Sequence, residues 1–331
     1  MTQQRLKATA RAPAERGIDM PSAQRTPTVR GKAVPRKTPT SGPAASTYRA
    51  RLNRRLYGAL AAVLTAILTT FFSLYTEIGQ GVDTLMMESV MARATAVARV
   101  ENIVTGVVSP AAMVVVSVAV TLVALARRRP TLAGRAVSVV LVANLLTQLL
   151  KVLLHRPDLG LTTGLANSLP SGHVTVAASV SLALIMVAPA WMRAPAAWLG
   201  WMWTALMGIT VVAQAWHRPA DVLVALLLTG ACALILAPIE SRDRHVPGIH
   251  RAMGIAVAIA VVLALVCSLI ALWGIDMRAV ASPGSGFGFS DYLDSVPTRE
   301  RLFAVAGISW IIAISGLIMH EVDHLSGRVS D

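Results

Sequence analysis

Long apolar stretches recur along this chain, and they restrict its fold more than any other feature. Each is long enough to cross the hydrocarbon core of a bilayer, about 30 Å thick, as a single helix. Hydrophobic residues make up 55% of the 331 residues and charged residues only 14%, which is too apolar a balance for an ordinary soluble domain. The sequence therefore predicts an all-α fold, a polytopic helix bundle embedded in a membrane.

Eight spans are predicted, six in a core at 56–240 and two more in a C-terminal addition at 241–331, where an outer loop at 275–301 separates them. The eight spans are 57–76, 104–126, 134–154, 173–190, 197–216, 219–238, 252–274 and 302–319. The glycine-rich 275–301 segment lacks the flanking strand and helix of a nucleotide-binding turn. We expect it to be a flexible loop or a lid at the membrane interface.

The first 55 residues carry most of the net positive charge. They hold 13 of the 30 Lys and Arg residues, against the acids Glu15 and Asp19. A segment rich in Pro, Ser and Thr, with few aromatic residues, buries too little apolar surface to fold. We predict a disordered cytoplasmic tail over 1–55 that is attracted to anionic lipid headgroups and not to nucleic acid. We expect no cleavable signal peptide here, because a polar leader of this length is too long for one.

Lys and Arg near the span ends predict the orientation, because positively charged loops stay in the cytoplasm. This places both termini inside. The segments 77–103, 155–172 and 275–301, together with the turn around His217, are then outside. Four histidines fall on the inner side and are expected to be solvated loop residues: His245, His250, His320 and His324.

A stripe of polar side chains marks one face of the third span. Asn144, Gln148 and Lys151 are spaced by four and three residues, which places them on the same side of a helix. Polar residues within a span are costly and usually face the bundle interior. The stripe leads to His155 and Arg156 at the outer edge, where isolated cations would simply reach for headgroups.

Two further groups of polar residues lie on the same outer side. Pro170-Ser171-Gly172-His173 immediately precedes a span, so its backbone amides and the helix N-terminus could bind an anion such as phosphate. The motif His217-Arg218-Pro219-Ala220-Asp221 spaces an imidazole and a carboxylate by four residues. On a helix, the carboxylate can then orient the imidazole.

The three groups together resemble the motifs of the type 2 phosphatidic acid phosphatase superfamily, over about residues 57–238. The resemblance implies a six-helix core that presents the motifs at one membrane face and hydrolyses lipid phosphates without a cofactor. It implies His217 as nucleophile, Asp221 as the residue that orients it and His173 as general acid. The residues implied to bind phosphate are Lys151, Arg156, Ser171 and Gly172, with Arg218 as a further candidate.

No metal is expected at this site. The motifs contain no acidic cluster, and the two cysteines, Cys232 and Cys267, lie in apolar runs without metal-ligand spacing.

Two departures from the family pattern concern its arginines. Arg156-Pro157 follows Lys151 after four residues where the family usually has six, and Val211 stands where the family has an arginine of its third motif. Arg218 is a candidate to replace that arginine in part. Low activity or a different head group could follow.

The expected function is hydrolysis of a lipid phosphate or diphosphate at the outer face of the cytoplasmic membrane, through a phosphohistidine. Recycling of a polyprenyl diphosphate such as undecaprenyl diphosphate in a bacterial cell envelope fits best, ahead of phosphatidic acid or phosphatidylglycerol phosphate. One alternative is a phosphotransferase that passes the phosphate to a hydroxyl acceptor. Another is a catalytically inactive lipid-binding or transport protein, although such a protein has no need of His217, His173 and Asp221.

Overall fold

Helices provide all the regular structure in the part of the chain that the computed structural model describes, which is residues 43–93, 118, 122, 130–163, 166–237 and 247–326. The helices are α1 (Pro43–Tyr75), α2 (Glu77–Ala92), α3 (Pro130–Leu153), α4 (Gly172–Val187), α5 (Ala190–Ala213), α6 (Pro219–Leu236), α7 (Pro247–Leu272), α8 (Met277–Val280), α9 (Ser290–Ser295) and α10 (Pro297–Ser326).

Six of these helices are long and apolar enough to cross a membrane: α1, α3, α5, α6, α7 and α10. The apolar helix α4 is shorter, with 16 residues. Seven of the eight predicted spans therefore coincide with apolar helices, which confirms the all-α, polytopic fold class. The remaining predicted span, 104–126, lies outside the described residues apart from Val118 and Leu122.

The long helices run in two opposite directions. Thr147, near the end of α3, pairs with Thr175, near the start of α4, at 2.9 Å, and Arg55, near the start of α1, donates to the Leu234 carbonyl, near the end of α6, at 2.7 Å. The ends of α1, α3, α5 and α7 thus lie where α4, α6 and α10 begin. We call this the motif end, because the three sequence motifs lie there, and the opposite end of the bundle the far end.

The last two long helices share a hydrophobic core with the others. Val211 and Leu226 belong to the same buried cluster as Val257 of α7 and Ile311 of α10. Gly208 lets α5 and α10 approach closely, since a Cβ on it would lie 2.7 Å from Cγ2 of Ile311. The predicted addition at 241–331 thus packs directly on the predicted core at 56–240.

The predicted disordered tail, 1–55, overlaps the first helix. Residues 1–42 lie outside the described part of the chain, but α1 already begins at Pro43. Two arginines near its start are held by tertiary contacts: Arg54 pairs with Glu321 at 2.7 Å, and Arg55 donates to the Leu234 carbonyl at 2.7 Å. These contacts place the last residues of the predicted tail, 43–55, within a helix.

Helix α2 occupies residues 77–92 of the segment 77–103 that was predicted to lie outside. Two of its three acids, Asp83 and Glu88, are buried. Asp83 accepts a hydrogen bond from the Ala220 amide at 2.8 Å, and Glu88 accepts one from the Phe287 amide at 2.5 Å. Such hydrogen bonds offset the cost of removing a carboxylate from water.

The 275–301 segment is held in place, which corrects the expectation of a flexible loop. The amide of Thr163 donates to the Phe287 carbonyl at 3.0 Å, and its hydroxyl donates to the Gly286 carbonyl at 3.1 Å. Gly288 has a φ of 133°, and a Cβ there would lie 2.5 Å from the Leu161 carbonyl oxygen. Only glycine fits so close to another backbone.

Three of the four inner histidines are also not solvated loop residues. Helices α7 and α10 extend beyond the predicted span ends, so His250 stacks on His320 with ring centroids 4.0 Å apart and on His324 at 5.1 Å. This histidine cluster lies between the two helices at the far end. The fourth histidine, His245, lies outside the described residues.

Candidate active site

The turn between α5 and α6 sets the position of His217. The amides of Trp216 and His217 both donate to the Val211 carbonyl, at 3.0 and 3.1 Å. Ala215 adopts a left-handed conformation with a φ of 56°, which is uncommon outside turns. His217 is thereby held, buried, just before the first turn of α6.

Asp221, in that first turn, contacts the His217 ring. Its Oδ2 lies 3.3 Å from Nδ1 of His217 and accepts hydrogen bonds from the Arg218 amide at 3.0 Å and the Ser168 hydroxyl at 2.5 Å. The Asp221 side chain is fully buried, so these contacts replace its hydration. Ser168 is a contact that the sequence motifs did not single out, although it lies three residues before Ser171.

Backbone and cap hydrogen bonds join the motifs. The Ser171 amide donates to the Asp221 carbonyl at 3.0 Å, and the Ser171 hydroxyl accepts from the Val174 amide at 3.5 Å as the N-cap of α4. The Asn167 side chain donates to the Leu154 carbonyl at 2.9 Å. Ser171, predicted to bind phosphate, therefore makes these contacts with the protein itself and fixes the start of α4.

His173, in the first turn of α4, faces His217. The two ring centroids lie 6.4 Å apart, and the His173 ring lies 5.5 Å from that of Trp216. His173 is half-buried, whereas His217 is buried. The space between two imidazoles at this separation suits a small reacting group that contacts both.

Lys151 reaches the same place from the last turn of α3. Its Nζ lies 3.9 Å, and Nε2 of Gln148 lies 3.8 Å, from the position that a Cβ on Gly172 would occupy. Asn144, further along the stripe, donates to the Ser179 hydroxyl at 3.3 Å. The Lys151 ammonium group therefore lies beside the first backbone amides of α4. The ammonium group and these amides together favour the binding of an anion.

Arg156 is buried behind the histidines, between two carboxylates. One guanidinium nitrogen lies 3.8 Å from Oδ1 of Asp221 and 4.0 Å from Oδ2 of Asp83. Among the residues that the structure describes, none of its three guanidinium nitrogens has a hydrogen-bond partner. Burial lowers the pKa of Arg156, as does the charge of Arg218, while the two carboxylates oppose that shift.

Asp83, on α2, is a residue of this site that the motifs did not predict. Its Oδ1 accepts from the Ala220 amide, and Oδ2 faces Arg156. Burial, with a contribution from Asp221, raises the pKa of Asp83 to about 7. The available signal was weak: a lone acid two residues before the apolar run Leu85–Met87, in a pattern that also fits an amphipathic helix.

Val211 occupies the position of the third-motif arginine, and Arg218 is the candidate to replace that arginine in part. Val211 is fully buried in the apolar core. The Arg218 side chain is also buried, and it donates to the Thr163 carbonyl at 3.4 Å. Through Thr163 it is connected to the 286–287 backbone described above.

No group of three or more His, Cys, Asp or Glu residues has the geometry of a metal site within the described residues. Cys232 and Cys267 are both free thiols.

The fold and this site define a class: a polytopic helical membrane protein that places a His–Asp pair opposite a second histidine and a lysine at one end of its bundle. Residues 132–245 match the family model of the PAP2 superfamily, and this match supports membership of that superfamily. The matched segment contains all the predicted site residues but neither Asp83 nor α10. With the apolar helices, it supports a membrane phosphatase. No curated protein and no solved structure matches the chain.

Proposed function

We propose that the chain hydrolyses a phosphate ester or diphosphate of a membrane lipid through a phosphohistidine on His217. The observation that carries the proposal is the arrangement of His217, bound to Asp221 at 3.3 Å and facing His173 at a ring separation of 6.4 Å. A nucleophile, the group that orients it and a proton donor thus lie within one small site.

In the first step, Nε2 of His217 attacks phosphorus. The contact of Nδ1 with Asp221 favours the tautomer that carries its proton on Nδ1, which leaves the lone pair on Nε2. A bond forms between Nε2 and phosphorus as the bond from phosphorus to the leaving oxygen breaks. The buried carboxylate of Asp221 stabilises the positive charge that develops on the ring.

His173 supplies the proton for the leaving oxygen. In the second step a water molecule attacks phosphorus, the nitrogen–phosphorus bond breaks, and His173 takes the proton of the water. Inorganic phosphate is released and both histidines return to their starting states. General acid and base assistance of this kind contributes about 10²- to 10⁴-fold to the rate.

Positive charge around the phosphate accounts for much of the remaining acceleration. Lys151 and the amides of Gly172 and His173 would contact the phosphoryl oxygens, with Ser171 fixing the turn. Arg156 lies behind them, its side chain 0% exposed, and would act through its charge. Arg218 would add to this field from the start of α6. None of these contacts requires a metal.

An apolar surface beside Lys151 favours a lipid substrate. Val152 and Leu153, the next two residues of α3, are 84% and 67% exposed, as expected for side chains that face lipid. A chain lying against them could stay in the bilayer while its phosphate reaches Lys151. Polyprenyl diphosphates such as undecaprenyl diphosphate are the first candidates, followed by phosphatidic acid and phosphatidylglycerol phosphate.

We place the motif end outside the cytoplasm and the membrane in the cell envelope. The support is the distribution of arginines, since the loops predicted at the far end carry Arg127, Arg128, Arg129, Arg193 and Arg251. A reporter that works only in the cytoplasm should be active when it is fused to the C-terminus, and a reporter that works only outside the cytoplasm should be inactive there.

The test is phosphate release by the purified full-length chain from a panel of lipid phosphates and diphosphates, in EDTA. Release by the wild type but not by His217→Gln supports a metal-independent phosphatase and ranks the substrates. Phosphorylated acceptor in place of free phosphate would instead identify a phosphotransferase. Lipid binding without either product would identify a binding protein, and the Val211→Arg variant would then test whether the missing arginine explains the lost activity.

A further inference from the structure

We propose that Asp83 of α2 is a positioning residue for the reaction, which holds the start of α6 and Arg156 in register with His217. The inference rests on the proposed function and adds to it a residue from outside the segment that matches the PAP2 superfamily, 132–245. Asp83 itself does not touch the reacting groups and acts through its neighbours.

The first contact of Asp83 is with the backbone of α6. Its Oδ1 accepts from the Ala220 amide at 2.8 Å. Ala220 lies directly before Asp221 and three residues after His217. The first amides of a helix lack partners within the helix, and a carboxylate there also interacts favourably with the helix dipole. Asp83 thereby fixes the segment that carries the nucleophile and the residue that orients it.

The second contact of Asp83 is with Arg156. The same nitrogen of Arg156 lies within 4.0 Å of Oδ2 of Asp83 and 3.8 Å of Oδ1 of Asp221. Neither of those two oxygens has a hydrogen-bond partner among the described residues. The cation therefore bridges two buried carboxylates, and removing it would leave their repulsion opposed by fewer positive charges.

Asp83 limits how strongly Arg156 interacts with Asp221. Without the Asp83 charge, the Arg156 guanidinium would pair with Asp221 alone. It would then draw the Asp221 carboxylate away from Nδ1 of His217. The charged groups that act on Asp83 are Asp221, Arg218 and Arg156, and burial keeps it close to its protonation point near neutral pH. This balance predicts that the charge of Asp83, and not only its hydrogen bond, matters for turnover.

The experiment compares the wild type with four variants at the site, each as the full-length chain in detergent: Asp83→Asn, Asp83→Ala, Arg156→Gln and the double variant Asp83→Asn/Arg156→Gln. Phosphate release is measured with two probes, a short-chain phosphatidic acid and farnesyl diphosphate. Hydrogen exchange of the peptide that contains Ala220 is measured on the same samples. Asp291→Asn, an exposed acid on α9, is the matched control.

Above pH 7, where Asp83 of the wild type is charged, we expect Asp83→Asn to lower kcat about tenfold with KM changed less than about threefold, because an amide keeps the acceptor for Ala220 but loses the charge. Asp83→Ala should lower kcat further and speed exchange at Ala220. The double variant should be more active than Arg156→Gln alone, since neutralising Asp83 relieves the repulsion of the two carboxylates. A merely structural role would not produce this recovery.

The proposal is overturned if Asp83→Asn retains wild-type kcat, or if the Asp83 and Arg156 effects multiply as independent changes do. Asp291→Asn should match the wild type in every measurement. A wild type that releases no phosphate from either probe contradicts the proposed function instead. In that case, unchanged hydrogen exchange at Ala220 in Asp83→Ala would still show that Asp83 does not fix the start of α6.

Discussion

The two ends of α6 are both served by a buried arginine, but the arginines are used differently. At the far end, Arg55 of α1 donates to the carbonyls of Leu234 at 2.7 Å and Ile235 at 3.0 Å, and also to that of Ala237. At the motif end, Arg156 makes no hydrogen bond to the described residues and lies between Asp83 and Asp221 at 3.8 to 4.0 Å.

The difference separates a structural arginine from one available for chemistry. The last carbonyls of a helix lack partners within the helix, and inside a membrane they cannot turn to water. The planar fork of Arg55 satisfies them, with a positive charge at the helix end where the dipole favours it. Arg156 keeps its donors uncommitted, and polar groups left in this state are typical of a functional site.

The largest expected effect is at the nucleophile. His217→Gln should lower kcat about 10³-fold or more, because a glutamine cannot form the phosphoryl intermediate. Phosphate release from the best substrate of the panel measures it. His155→Gln, at an exposed histidine of the same end, is the control and should keep full activity. Equal losses in both variants would contradict the assignment of His217.

At Arg156 we expect charge to matter more than hydrogen-bond geometry. Arg156→Gln should lower kcat/KM about 30-fold, and Arg156→Lys should recover most of that loss, because its contacts at 3.8 and 4.0 Å are those of an ion pair. Steady-state phosphate release checks both variants. A lysine variant as inactive as the glutamine variant would show that the guanidinium fork contacts the phosphate directly.

At Arg55 the same replacement should act on stability. Arg55→Lys retains the charge but cannot reproduce the fork to three carbonyls, so the free energy of unfolding should fall by about 1 to 3 kcal/mol. Denaturant unfolding in detergent measures the loss. The kcat of the folded fraction should stay within about twofold of the wild type. A large fall in kcat with unchanged stability would remove the contrast between the two arginines.

The smallest expected effect is a pH dependence of stability. The pKa of Asp83 is raised from 3.8 to about 7 in the folded chain, so the folded state binds more protons than the unfolded state between these values. The stabilisation from protonated Asp83 is therefore complete below pH 4 and is lost as the pH rises through 7. The Tm of the wild type relative to Asp83→Asn should fall by a few degrees over this interval. A Tm of the wild type that rises relative to that of Asp83→Asn as the pH increases would contradict the raised pKa.

The sequence was sufficient to predict the seven spans that the structure describes as apolar helices, and to group the motif residues by their spacing. Apolar length alone predicts a membrane helix, and spacings of three and four residues place Lys151 with Gln148 and His217 with Asp221. That His217 faces His173 and that Lys151 lies beside Gly172 depends on which helices are neighbours at the motif end. Their chemical roles stay predictions until the variants are assayed.

Contacts between distant segments could not be predicted in the same way. Asp83 lies 137 residues before its partner Ala220, and no periodicity links the two positions. Nothing in the sequence of 77–103 indicates that its acids are buried, since lone carboxylates are usually on the surface. The histidine cluster at the far end was missed because it depends on how far α7 and α10 extend.

The hydrogen bonds between Thr163 and the backbone of residues 286–287 have a consequence for protein engineering. The segment 132–245 resembles a portable module, yet its motif loops are held by Asp83 from before it and by Phe287 from after it. A chimera that exchanged this segment alone would have mismatched neighbours on both sides. A transplant that keeps its activity should carry α2 and the 282–290 stretch along with it.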